Sequence, residues 1–215
     1  MSQTEITIKN AMSESATVYI TLGATSGCVQ NVGDIPFVTN VLSPLQGYFT
    51  LGTNDSVSYT PPVGIGINGN FSVNTPPLNC QTTEFPSGVN LAEFILNNSF
   101  QAGNPQETID ISGVAGTNAL FEFTLSGGGA WNASKAHQNV TTFANQSIGN
   151  NVKQVGVFPY GCDDCTASVS PPTCTSLPIG APNPPVPQTD AICNVQRDAS
   201  KAGGTVTITI NGVVG

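Results

Sequence analysis

Short runs in which hydrophobic and polar residues alternate recur along this chain, and a period of two is the signature of strands with one buried face. Glu5 to Asn10 and Thr17 to Leu22 alternate on either side of a polar turn at Met12 to Ser15, which predicts an opening hairpin. Gly47 to Leu51 and Ser56 to Thr60 predict a second hairpin around Thr53-Asn54-Asp55, ended by Pro61-Pro62. Between these pairs, Gly23 to Pro44 reads as a long loop with a strand near Phe37 to Leu42. Gly64 to Val73 alternates glycine with isoleucine; no Lys-Ser/Thr follows and no helix opens after it, so it is not a phosphate loop. Its glycines instead suit a strand face on which another backbone or a ring lies. Ala119 to Leu125 has an aromatic face and ends at Gly127-Gly128-Gly129, and Gly204 to Ile210 closes the chain with separate Val/Ile and Thr faces. Ala130 to Ala144, which holds Trp131, carries no convincing helical stripe, and Trp131 reads as a core residue before a ligand platform.

At the centre, Leu91, Glu93 and Ile95 share one pleat face while Ala92, Phe94 and Leu96 share the other. After the loop Asn97 to Gln106, Thr108 and Asp110 share a face opposite Ile109 and Ile111. Two carboxylates therefore ride on neighbouring strands, each on the less apolar side, positioned to open onto one cleft. A glycosidase needs such a pair, one carboxyl protonated and one ionised, about 5–5.5 Å apart for retention or about 6.5–9.5 Å for inversion. The competing reading is two solvated acids on an open sheet face, or acids that pair with lysines and backbone amides.

Composition narrows the class. Only 8% of the 215 residues are charged, and Gly and Pro number 23 and 16, which suits many short strands joined by turns within one main domain. The net charge of −8, with basic residues scattered at Lys9, Lys135, Lys153, Arg197 and Lys201, excludes a phosphate-binding patch and with it nucleic acid. No apolar run reaches the ~20 residues that span a bilayer. His137 is the single histidine and has no Gly-x-Ser-x-Gly elbow or papain-like cysteine context, so a nucleophilic triad is disfavoured. Asp163-Asp164 lacks the spaced oxygen ligands of a calcium loop and reads as a pair of turn acids; no metal or cofactor is expected.

Six cysteines, at 28, 80, 162, 165, 174 and 193, form an even set. Cys162-Asp-Asp-Cys165 fits a metal knuckle or disulfides, and the absence of a second Cys-x-x-Cys favours disulfides, although six cysteines allow 15 pairings. Prolines from Pro178 to Pro187 follow, so residues 159–195 are expected to form an irregular, tethered excursion. Met1-Ser-Gln-Thr leads straight into a strand without a signal-peptide pattern, which leaves either a removed leader or non-classical export. Six Asn-x-Ser/Thr sequons, at Asn54, Asn70, Asn97, Asn132, Asn139 and Asn145, carry little weight in a chain so rich in these residues.

Leu91-Ala92-Glu93-Phe94-x-Leu96, a short loop, then Ile109-Asp110-Ile111-Ser112-x-Val114-x-Gly116 resembles the centre of the thaumatin-like proteins. A first strand ending in Asn10, a turn and a Thr17-Val18-Tyr19 strand resembles their start, and Gly161-Cys162-Asp163-Asp164-Cys165 resembles a turn of their cysteine-rich lobe with one residue fewer. The resemblance implies an antiparallel β-sandwich of roughly ten strands over residues 1–215, an extracellular defence-type protein, and an acidic cleft that binds β-1,3-glucan through Glu93 and Asp110. It departs where the family often reads Val-Asp-Gly and this chain reads Val114-Ala115-Gly116, which removes a third cleft acid. With that acid missing and aromatics at 7%, hydrolysis is expected to be weak or absent. Tyr48, Tyr59, Trp131 and Tyr160 are the candidate sugar-stacking rings. The alternative is a structural protein that self-associates through a surface rich in Thr, Asn and Gly and poor in charge.

Overall fold

Alternating sequence becomes alternating burial. In Ala16–Leu22 every odd step is buried and every even one half-exposed, and the same pattern runs through Glu5–Asn10, Leu91–Leu96 and Gln106–Ser112. The structure is a computed structural model that describes residues 2–76, 89–99, 105–112, 118–133, 139–145, 148, 165–166, 173–174 and 194–213. Its strands are β1 (Glu5–Asn10), β2 (Ala16–Leu22), β3 (Asn40–Ser43), β4 (Gln46–Leu51), β5 (Ser56–Tyr59), β6 (Ile67–Val73), β7 (Leu91–Leu96) and β8 (Gln106–Ser112). They continue with β9 (Ala119–Ser126), β10 (Asn132–Ala133), β11 (Thr142–Ala144), β12 (Cys165–Thr166), β13 (Thr173–Cys174), β14 (Val195–Asp198) and β15 (Thr205–Val213). Two single-turn 3-10 helices, Val32–Asp34 and Ala199–Lys201, are the helical elements among the described residues.

The expected all-β sandwich is what these strands build, with more of them than the roughly ten expected. A five-stranded sheet runs β11-β9-β15-β1-β5, an eight-stranded sheet runs β10-β14-β8-β7-β6-β2-β4-β3, and β12 pairs with β13 apart from both. Pairing is antiparallel except that β1 lies parallel to β15, from Glu5 opposite Thr205 to Asn10 opposite Ile210. Phe49, Phe71 and Phe94 of the larger sheet and Ile6, Ile8, Phe121, Phe123 and Ile208 of the smaller one belong to a single buried cluster. Each such side chain contributes about 1.5–3 kcal/mol through removal from water.

Both expected hairpins are corrected. β1 belongs to the five-stranded sheet and β2 to the eight-stranded one, and β4 and β5 are divided in the same way, so each turn is an arch that crosses the sandwich. Each strand has one apolar face, and that face can be buried against a facing sheet as well as beside a hairpin partner. Buried Asn10 ties the arches together: its Nδ2 donates to the carbonyls of Glu14, Leu51 and Gly52, and its Oδ1 accepts from Met12 N. The turn at Thr53-Asn54-Asp55 is present, with Asn54 at φ 60° and Asp55 Oδ2 accepting from Gly52 N at 3.1 Å. The strand placed near Phe37 to Leu42 lies slightly later, as β3.

Arg197 joins the two sheets from inside. Its Nε donates to Glu107 Oε2 at 2.6 Å, Nη1 to the carbonyls of Gly127 and Gly129, and Nη2 to Thr4 Oγ1 and the Gly203 carbonyl. All five guanidinium donors are used. Trp131, 3% exposed, lies under the guanidinium with its ring centre 4.3 Å away, so it is a core residue rather than a ligand platform. Gly127-Gly128-Gly129 is shaped by this arginine: Gly127 and Gly128 have φ 69° and 68°, and a Cβ on Gly128 would collide with Nη1 and the Gly203 carbonyl. The expected glycine close approach also occurs at Gly69, where a Cβ would meet the Thr21 carbonyl.

Two of the sequon asparagines are structural. Asn97 exchanges bonds with the Thr4 backbone and Asn145 with Phe121 N and the Ala119 carbonyl, and both are buried. Removing one member of a buried ion pair costs about 3–5 kcal/mol, so Arg197→Ala is expected to lower the urea-unfolding free energy by about that amount. Arg197→Lys is expected to recover less than half of the loss, because one ammonium cannot reach five acceptors. A loss under about 1 kcal/mol for Arg197→Ala in the same measurement would show that the sheets are held by apolar packing alone.

Candidate functional site

β6, β7 and β8 are adjacent in the eight-stranded sheet, and their register sets one polar row across its outer face. Gln46 faces Thr21, Thr21 faces Asn70, Asn70 faces Glu93, and Glu93 faces Asp110. The apolar neighbours Ala92, Phe94, Ile109 and Ile111 point to the core, and this forces Glu93 and Asp110 outward. The sequence places the two acids on comparable faces; the structure makes them direct cross-strand partners. They line a cavity of about 360 Å³ with Thr21, Asn68, Asn70 and Thr108.

Paired directly across β7 and β8, the two carboxyls are close enough for each to act on the other's titration. Burial raises the pKa of Glu93, partly offset by its bond to Asp110. Burial also lifts Asp110 well above the ordinary carboxylate range, and the charge and hydrogen bond of Glu93 add to the rise. Two like charges this close in a partly dry site favour one shared proton over two free carboxylates. Among the described residues, no cationic side chain lines the cavity to offset them.

Acceptors in the row lack donors. Asn70 Oδ1 and Asp110 Oδ1 are buried with no hydrogen-bond partner, and so is Asn194 Oδ1. Val195 pairs antiparallel with Ile109, so the preceding residue, Asn194, extends the row beside Asp110. Asn70 and Asn194 are the site residues that the sequence reading missed.

On the same outer face Tyr19 pairs with Tyr48, ring centres 5.3 Å apart. Tyr48 therefore keeps its place as a candidate ring and gains Tyr19 as a partner, whereas Tyr59 lies on β5 at the edge of the other sheet. Tyr160, His137, Asp163, Asp164 and Ala115 lie outside the described residues, as does most of the excursion at 159–195. Within it, β12 and β13 pair Cys165 opposite Cys174. Cys28 is a buried free thiol, and burial raises its pKa, so the expectation that all six cysteines are paired does not hold at this position. Among the described residues no three His, Cys, Asp or Glu side chains converge, and no helix is long and apolar enough to cross a membrane.

No protein-family model matches the chain, and a search of characterised proteins finds no similar sequence. Among solved structures, the chain is similar to a thaumatin-like xylanase inhibitor, TLXI, at 12% identity and a TM-score of 0.44, over 96% of this chain and 99% of that one.

A buried carboxyl whose pKa is raised by folding holds its proton better in the folded state, so its contribution is fully present below the unfolded pKa. It is lost as pH rises through the raised folded value. Stability measured by urea unfolding is therefore expected to fall from about pH 4 upward. Asp110→Asn is expected to flatten that fall and to unfold later than wild type at pH 8. An unchanged slope in Asp110→Asn would mean that the pair is solvated.

Proposed function

We propose that this chain is a thaumatin-like, extracellular carbohydrate-binding protein whose outer-face cleft takes β-1,3-glucan or a related cell-wall polysaccharide, with Glu93 and Asp110 on the floor. The observation that carries the reading is the cross-strand carboxyl pair lining the outer-face cavity, beside Asn70 Oδ1 and Asp110 Oδ1, which lack donors. Sugar hydroxyls are donors of the right kind, and charge-assisted hydrogen bonds to a carboxylate are the strong ones available to a neutral ligand. Tyr19 and Tyr48 add ring surface on the same face.

Binding without appreciable hydrolysis is the better match to the geometry. A glycosidase needs one carboxyl ionised and the other protonated, whereas Glu93 and Asp110 lie directly opposite each other and burial raises the pKa of both, so their environments do not separate the two roles. Disulfides among the remaining cysteines belong to the same extracellular reading.

A second reading, self-association, has one observation in its favour. β3 ends the eight-stranded sheet with every residue exposed and none charged, and Val41 and Leu42 are 54% and 55% exposed. Uncharged edges are where other chains add strands. Dynamic light scattering over a dilution series separates the two: a constant particle size without sugar leaves binding as the function.

Laminarin pull-down with a reducing-sugar assay tests the main reading. Wild type is expected to be retained without releasing sugar, and Glu93→Gln and Asp110→Asn are each expected to weaken retention about tenfold or more, the cost of a charge-assisted bond of about 1.5–3 kcal/mol. Wild type that is not retained overturns the glucan reading, and retention that survives both substitutions moves the site elsewhere. Sugar release lost in Glu93→Gln would make the protein an enzyme.

A further inference from the structure

We propose that Glu93, Asp110 and Asn70 form a binding site for one divalent cation of the calcium class, seated in the outer-face cavity between β6, β7 and β8. The proposal concerns the ion itself and stands apart from which ligand later enters the cleft. These three residues occupy consecutive strands in register and present up to five oxygen atoms, all of the hard type that calcium prefers. Asn70 Oδ1 and Asp110 Oδ1 are buried and meet no donor, which is unfavourable for oxygens that remain empty and natural for oxygens that ligate.

Calcium takes six to eight oxygens in flexible geometry, which three side chains on adjacent strands plus water can supply, whereas magnesium demands a near-ideal octahedron. The cavity of about 360 Å³ has room for the waters that complete a six- to eight-oxygen shell. Among the described residues, no lysine, arginine or histidine lines it to compete with the ion.

Isothermal titration of calcium chloride into chelator-treated full-length protein, without glycan, tests this. One saturable site per chain is expected, with calcium held more tightly than magnesium. Asp110→Asn is expected to abolish uptake and Asn70→Ala to weaken it about tenfold, each with an unchanged circular dichroism spectrum. Absence of saturable uptake at millimolar calcium overturns the proposal, as does undiminished uptake by folded Asp110→Asn; magnesium binding more tightly than calcium overturns the ion class. Because no sugar is present, failure here leaves the glucan reading to its own test.

Discussion

Arg197 is the constraint on which the two sheets depend. Its charge is removed from water, so each of its five donors requires an acceptor, and these come from both layers of the sandwich. Glu107 on β8 represents the larger sheet, while Thr4 precedes β1 and Gly203 precedes β15 of the smaller one. The carbonyls of Gly127 and Gly129 fix the end of β9. Glu107 is itself shared: its Oε1 accepts from Thr4 Oγ1 at 2.6 Å and Asn97 N at 2.7 Å. A buried pair of this kind adds little net free energy over an apolar substitute, but it tolerates few arrangements of its surroundings. What it contributes here is alignment of the layers.

The outer face reverses this logic. Inside the sandwich every polar group of the Arg197 network is matched, and the buried asparagines Asn10, Asn90, Asn118 and Asn145 bond to backbone groups of neighbouring strands and turns. Along the row from Asn70 through Asp110 the same side-chain types are left unmatched and like charges stand together. A chain selected for stability alone would place a lysine or a threonine beside Glu93. Under the proposed binding function, this row, unmatched among the described residues, is where a ligand would supply the missing donors or charge.

Much of this could be read from the residues. Glu93 lies four positions before the loop Asn97 to Gln106 and Asp110 four positions after it, so a simple hairpin makes them partners, as they are. Alternation also located β1, β2, β4, β7, β9 and β15 closely. Asn70 was not legible, because β6 and β7 are joined by a long connection whose length does not set register. The arches were misread as hairpins because a turn sequence specifies a local reversal and not the layer to which the next strand goes. Arg197 appeared as one of five scattered cations: with glycine carbonyls and a distant glutamate as partners, its neighbourhood in sequence says nothing of its neighbourhood in space.

The parallel pairing of β1 with β15 has a consequence for how the molecule comes into being. β1 lies between β5 and β15, and one of its flanks is filled by residues about 200 positions away in the chain. Closing so long a loop costs conformational entropy before any contact rewards it, and β proteins built on such distant pairings fold slowly. During synthesis β1 emerges about 200 residues before the strand that completes it. Throughout that interval its open flank is a bare line of amides and carbonyls, and the nascent chain must be kept from joining other chains there until β15 arrives.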